Sequence, residues 1–192
     1  MTPTQQDREL IEATLQGQTE AYGELVKRYQ DRLFHSLCYM LGSREDAKDI
    51  AQQTFVRAFQ KLSQFRHDSA FYSWLFRIAL NEAASYRRRK RPELRLEDVP
   101  EDERKYDPSD PHRDVMPAYQ VSLRETQRLV WQAINQLPEE FRQVLVLKEM
   151  DNLSYEQIAE IIGCPIGTVR SRLFRARSAL RKKLEKEIDK ML

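Results

Sequence analysis

The chain predicts an all-α fold: two small helical domains joined by an acidic, proline-rich linker, the C-terminal one a helix-turn-helix. Three observations predict it. Apolar residues recur at three-four spacing, with only five glycines in 192 residues and no alternating apolar runs closed by hairpin turns. Residues 91–117 hold nine carboxylates against five Lys/Arg, and five of the chain's eight prolines, a composition poor in the apolar groups a core needs. The segment Leu153 to Arg177, LSYEQIAEIIGCPIGTVRSRLFRAR, has the pattern of two short helices around a tight turn, ending in arginines. The expected division is 1–90, a linker over 91–121, and 122–192, with each outer part large enough for a modest helical core.

The elements follow in order. Leu10, Ile11 and Leu15 mark a first short helix ending near Gly17. Tyr22, Leu25, Val26, Tyr29, Leu33 and Leu37 mark a long second one, with Thr19 as the expected N-cap and Gly42 as its stop. Ser43 opens a third, whose Ala47, Ile50, Ala51, Phe55, Ala58, Phe59 and Leu62 turn inward and leave Asp46, Asp49, Gln52, Gln53 and Arg57 outward. After a polar break at Arg66 to Ser69, a fourth helix with Phe71, Trp74, Leu75 and Ile78 runs into the basic cluster Arg87, Arg88, Arg89, Lys90 and Arg91. Past the linker, Ser122 and Glu125 form an expected capping box ahead of Val130, Ile134 and Leu137. Pro138 to Met150, carrying Phe141, Val144 and Leu145, gives the next helix.

Ser154 and Gln157 make a second capping box, with Ile158, Ala159, Ile161 and Ile162 as the apolar stripe and Gly163 as a left-handed stop. Pro165 fits the turn, Gly167 and Thr168 allow close approach of backbone to a phosphate, and the following helix is expected from about Thr168. At 100° per residue, Val169, Leu173, Ala176 and Leu180 share the buried side, and Ser171, Phe174, Arg175 and Ser178 the opposite one. Arg170 and Arg177 flank that outward face on one edge and Arg172 on the other, placed to straddle a groove while Ser171 and Arg175 reach base edges. A solvated amphipathic helix would also carry arginines. The capped helix, the turn and the cationic face together favour DNA binding.

The fourth helix and the loop before it crowd aromatics, cations and an amide: Phe65, Phe71, Tyr72, Trp74, Phe76, Arg77, Asn81, Tyr86 and Arg88. Rings stack on unpaired bases, an amide hydrogen-bonds them, and cations follow the backbone, so this set suits single-stranded nucleic acid. The same rings at helical spacing also suit a core, and the residues alone leave both open.

Lys+Arg 32 against Asp+Glu 30 gives a net charge of only +2, so distribution matters more than the total. From Arg170 to Lys190 there are nine Lys/Arg against three acids. A mean hydropathy of −0.71, a polar N-terminus and the lack of a long apolar run speak against membrane insertion or secretion and for a cytoplasmic location. Cys38 and Cys164 lack a CxxC partner and are expected as reduced core thiols. His35, His67 and His112 are isolated and there is no glycine-rich phosphate loop, so neither an enzyme nor a metal or cofactor site is expected.

Three blocks together resemble an extracytoplasmic-function sigma factor of the sigma-70 family, a bacterial transcription-initiation factor with two helical domains. DAKDIAQQTFVRAFQKL at Asp46 to Leu62 is similar to the family's polymerase-binding helix, FRHDSAFYSWLFRIALNEAASYRRR at Phe65 to Arg89 to its promoter-melting region, and LSYEQIAEIIGCPIGTVRSRLFRAR to its second DNA-reading domain. Order and spacing agree from about Asp7 to Leu184.

The resemblance implies a division of labour. Asp46, Asp49, Gln52, Gln53 and Phe55 would meet the clamp helices of the polymerase β′ subunit, with Gln53 standing where many members have Glu. Phe65, Arg66, Asp68, Ser69, Trp74, Arg77, Ile78, Asn81 and Arg88 would bind the minus-ten element, part of them forming a pocket for a base flipped from the non-template strand. Thr168, Arg170, Ser171, Arg172, Phe174, Arg175 and Arg177 would read the minus-thirty-five element, and the helices before them would meet the β-flap tip. The linker from Glu93 to Asp114 would thread toward the RNA-exit channel, though a plain tether explains its composition equally well. An anti-sigma factor acting in trans, and a role in stress response, are implied likewise. A conventional duplex-binding regulator, or a structural adaptor, is the competing class.

Overall fold

The computed structural model describes residues 5–90 and 117–189, with only the backbone for residues 90, 117–125 and 188; of the expected linker over 91–121, residues 91–116 lie outside the described residues and 117–121 are helical. Among the described residues eight α-helices follow one another: α1 (Gln5–Leu15), α2 (Thr19–Leu41), α3 (Arg44–Gln60), α4 (Phe71–Lys90), α5 (Pro117–Asn135), α6 (Glu139–Glu149), α7 (Tyr155–Ile162) and α8 (Ile166–Asp189), with a 3₁₀ turn at Leu62–Gln64. The first four form an N-terminal unit and the last four a C-terminal unit, and no strand occurs among the described residues.

Helix boundaries show where local chemistry decides and where it does not. Ser43 caps α3 by accepting from the Asp46 N–H at 3.1 Å, satisfying a donor the first turn would leave open. Gly42 ends α2 at φ 73° and its N–H bonds the Cys38 carbonyl. The positive φ favours glycine, and a Cβ there would lie 2.8 Å from Asn135 Oδ1 of α5, a side-chain end that would have to move aside. Thr19, expected as the cap of α2, is instead its first helical residue, and Gln18 takes the cap position without a side-chain bond. Ser122 likewise lies inside a helix, because α5 is already wound at Pro117.

In the N-terminal unit, Leu25, Leu33 and Leu37 of α2 meet Ala47, Ile50 and Ala58 of α3 and Phe71, Leu75 and Phe76 of α4, all fully buried. α1 is fixed by a polar clasp: Asp7, 2% exposed, accepts from the Tyr29 hydroxyl at 2.6 Å and from the Arg28 guanidinium. In the C-terminal unit, Val144 and Leu147 of α6, Ile158 of α7 and Val169, Leu173 and Ala176 of α8 close the core. Phe59 of α3, expected inside, is 45% exposed at the rim beside Tyr22, and Leu15, the last residue of α1, is 52% exposed.

The two units pack on each other. α2 contacts α5 and α6, and α4 contacts α7. At the centre of the junction Asp151, just past α6 and 4% exposed, accepts from Arg32 Nε at 3.0 Å, Ser36 Oγ at 2.8 Å and Tyr72 OH at 2.7 Å. Arg32 also donates to the Asp151 carbonyl at 2.6 Å while its guanidinium lies 3.9 Å from the Tyr72 ring centroid. Burial pushes the Asp151 carboxyl above its usual range, against the opposing pull of its donors, and burial together with the Asp151 charge raises the Tyr72 phenol. Asn152, at φ 48°, then turns the chain into α7.

Candidate nucleic-acid interface

α7 and α8 are set by local signals. Ser154 accepts from the Gln157 N–H at 3.2 Å and Gln157 Oε1 accepts from the Ser154 N–H at 2.9 Å, a complete capping box. Gly163 ends α7 at φ 73°. The Pro165 carbonyl accepts from Thr168 at 2.9 Å and Val169 at 3.2 Å, so α8 starts at Ile166, two residues ahead of the expected Thr168. Cys164, expected in the core, is half-buried in the turn; the other thiol, Cys38, is fully buried, and burial pushes it up to about 11.

The outward face of α8 is open. Arg170, Ser171, Phe174, Arg175 and Ser178 are exposed, and Phe174 is 77% exposed, a large ring with no fold-stabilising duty. Ser171 Oγ donates to the Thr168 carbonyl at 3.0 Å, and Thr168 itself is half-buried. The flanking arginines differ: Arg172 pairs with Glu140 at 2.8 Å and Arg177 with Glu149 at 2.7 Å, both bridges tying α8 to α6. Arg170 and Arg175 form the free cationic part of this face among the ion pairs of the described residues, with Arg170 resting near the Tyr155 ring.

The N-terminal set is less uniform. Phe65 is 7% exposed and packs against Phe71 and Trp74 with ring centroids 5.8 and 5.2 Å away, so it belongs to the wall of the site. Arg66 and Asp68 are exposed, Ser69 half-buried, and His67 between them adopts φ 59°, bending the loop around Phe65. Trp74 and Ile78 are half-buried, while Asn81 and Arg88 face solvent on α4. Arg77 is partly exposed but engaged by the other unit: it donates to the Glu160 carboxylate at 2.8 Å and to the Glu160 carbonyl at 3.1 Å.

On α3, Asp49, Gln52 and Gln53 are exposed as expected. Asp46 is not fully outward: it is half-buried and accepts from the Tyr86 hydroxyl of α4 at 2.6 Å, which uses part of its charge inside the unit. Phe55 is 8% exposed. Its ring and Gln52 border an open groove of about 1240 Å³ between α2 and α3, whose floor is apolar: Val26 and Phe34 from α2, Val56 and Phe59 from α3. Helical periodicity does not single out these four as surface-forming, because Phe34 falls outside the α2 stripe and Val56 outside that of α3. The signal lies in an excess of apolar residues over what one buried stripe needs. No described helix is long and apolar enough to cross a membrane, and no group of three or more metal-ligating side chains occurs among the described residues.

Comparison with known proteins agrees with this geometry. Family models for sigma-70 region 2 and sigma-70 region 4 match residues 25–93 and 127–180. The ECF RNA polymerase sigma-E factor of Haemophilus influenzae is 40% identical over 181 residues, covering 93% of this chain and 95% of the relative. The RNA polymerase sigma-H factor of Pseudomonas aeruginosa is 40% identical over 189 residues, covering 96% and 97%. Among solved structures, CnrH in complex with the cytosolic domain of CnrY matches with TM-score 0.68 and 26% identity over 95% of this chain and 99% of that one. The sigma factor RpoE of Bartonella quintana, solved with the anti-sigma factor NepR, matches with TM-score 0.69 and 27% identity over 85% and 96%. With both diagnostic regions matched and relatives aligned nearly end to end, the chain belongs to the extracytoplasmic-function sigma factors of the sigma-70 family.

Proposed function

We propose that this chain binds core RNA polymerase in the cytoplasm, recognises minus-thirty-five and minus-ten promoter elements and promotes DNA melting, without covalent chemistry of its own. The single observation that carries this is the open face of α8, where Ser171, Phe174 and Arg175 stand exposed on a helix whose other side is fully committed to the core. Set in a major groove, Arg175 reaches a base edge, Phe174 offers apolar contact, and Arg170, Arg172 and Arg177 meet phosphates.

Residues 1–90 serve the polymerase and the minus-ten element, 91–121 connect the two parts with their last five residues already in α5, and 122–192 serve the minus-thirty-five element. Asp49, Gln52 and Gln53 rim the polymerase-facing side of α3, with Asp46 and Phe55 behind them and the α2–α3 groove beside them. Arg66, Asp68, Ser69, Trp74, Ile78 and Asn81 surround a flipped base, Phe65 backs the pocket, and Arg77 and Arg88 follow the strand. Flipping costs a few kcal/mol of stacking, which a shaped pocket and cations offset. The solved relatives were captured with CnrY and with the anti-sigma factor NepR, which supports control of this chain by an anti-sigma factor.

Titration of the purified full chain into core RNA polymerase is the test. A stable complex that opens promoter DNA is expected. Failure to form one, with retained duplex binding by the chain alone, would instead establish a conventional regulator.

A further inference from the structure

Of the aromatic rings on α4, Phe71, Tyr72 and Phe76 are buried and Trp74 stands beside the candidate base pocket. Tyr86 is placed differently. It is half-buried with its ring against the core, and its hydroxyl donates to Asp46 Oδ1 at 2.6 Å, reaching the first turn of α3 from 40 positions away in sequence. The phenol thus serves the helix whose exposed edge carries Asp49, Gln52 and Gln53.

We infer that Tyr86 is a positioning residue for polymerase docking: its hydroxyl fixes the Asp46 carboxylate in the orientation that meets a basic group of the polymerase. This rests on the function proposed above. Asp46 is the third residue of α3, and its N–H donates to the capping Ser43 at 3.1 Å. A carboxylate at that place is drawn back onto the open amides of its own first turn, by hydrogen bonding and by the helix dipole. A donor at 2.6 Å from another helix opposes that pull and selects one side-chain rotamer. An ionised carboxylate has about four acceptor sites and the phenol takes one of them. Being neutral, Tyr86 orients the charge without cancelling it, where a lysine or arginine would do both. Orientation before docking spares the complex the ordering of one charged side chain.

A second tie between the same two helices provides a contrast. Arg57 lies 3.4 Å from the Glu82 carboxylate of α4, eleven residues and so about 16 Å along α3 from Asp46. That pair braces α3 against α4 at a distance from Asp46. Loosening of the helix pair in general and loss of Asp46 orientation in particular are therefore separable.

Competition binding of the full chain to core RNA polymerase, arranged as a double-mutant cycle, tests the role. Tyr86→Phe keeps the ring and removes only the donor; it is expected to weaken binding about two- to tenfold. Asp46→Ala is expected to weaken binding more, and Tyr86→Phe to add nothing once Asp46 is alanine. Glu82→Gln, which breaks the brace to Arg57, is expected to multiply with Asp46→Ala instead. Should Tyr86→Phe lose helix content by circular dichroism, Tyr86→Met, which fills the site with a flexible apolar chain, takes its place in the cycle. A Tyr86→Phe chain that binds as tightly as the wild type, or one whose loss multiplies with that of Asp46→Ala, overturns the positioning role while the proposed function stands. A wild type that forms no complex with core polymerase defeats that function and this role together.

Discussion

The outward face of α8 and the Phe65–α4 surface are both assigned to DNA, yet they are built in opposite ways. On α8 the reading residues are separate from the core residues: Phe174 is 77% exposed while Leu173 beside it is 1% exposed. In the N-terminal unit the assignments overlap, since Phe65 both backs the candidate base pocket and packs into the core at 7% exposure. Duplex is read by edges that any rigid helix can present, so recognition and stability can sit on different faces. A flipped base needs a walled cavity, and its wall must be held by the fold itself.

The contrast is sharpest in matched phenylalanine truncations. Phe65→Ala is expected to lower unfolding stability by about 3–5 kcal/mol, and Phe174→Ala to leave it within about 0.5 kcal/mol while weakening binding to the minus-thirty-five duplex; urea denaturation of both variants measures this. Equal stability losses would erase the distinction. Next in size, Arg175→Ala should cost about 1–3 kcal/mol at one base-pair position of the minus-thirty-five element and nothing at the minus-ten element, as competition binding with single-base variants would show. A uniform loss across all sequences would make Arg175 a phosphate contact instead.

A smaller effect is expected in the turn. Gly163 has φ 73° with open space where a methyl group would stand, so Gly163→Ala should cost about 1–2 kcal/mol through backbone strain alone, with promoter specificity preserved; thermal unfolding and promoter competition together measure it. The smallest difference concerns the thiols. Burial raises Cys38 to about 11, so its protonated form contributes stability fully present below the ordinary thiol range and lost only as pH rises toward that value. At pH 8, iodoacetamide should therefore modify half-buried Cys164 and spare Cys38 in the native chain, as peptide mass mapping would reveal.

What can be read from sequence follows from how local each cause is. The Ser154–Gln157 box, the Gly163 stop and the two faces of α8 depend on neighbours within one or two turns, and the structure places them as the spacing implies. Thr19 and Ser122 fail as caps because each has a cap-forming side chain at a place where the helix begins elsewhere. Asp46 reads as free because its partner, Tyr86, lies 40 residues away on another helix. The Arg77–Glu160 pair and the bonds to Asp151 are invisible for the same reason: nothing in the periodicity of either unit says that the other will dock on it. The apolar groove between α2 and α3 is obscured because Val26 fits the core stripe of α2 and Phe34 fits none.

Gly42 carries a consequence for how this chain tolerates change. One position both reverses the backbone after α2 and leaves room for Asn135 of the opposite unit, so a methyl group there meets two penalties of independent origin. Relaxing the first by an asparagine, which accepts positive φ, would still drive a side chain into α5. The residue thus couples two otherwise separate matters: a substitution that upsets the end of α2 also displaces the Asn135 side chain, and with it the bonds that side chain makes to Trp131 and Arg142.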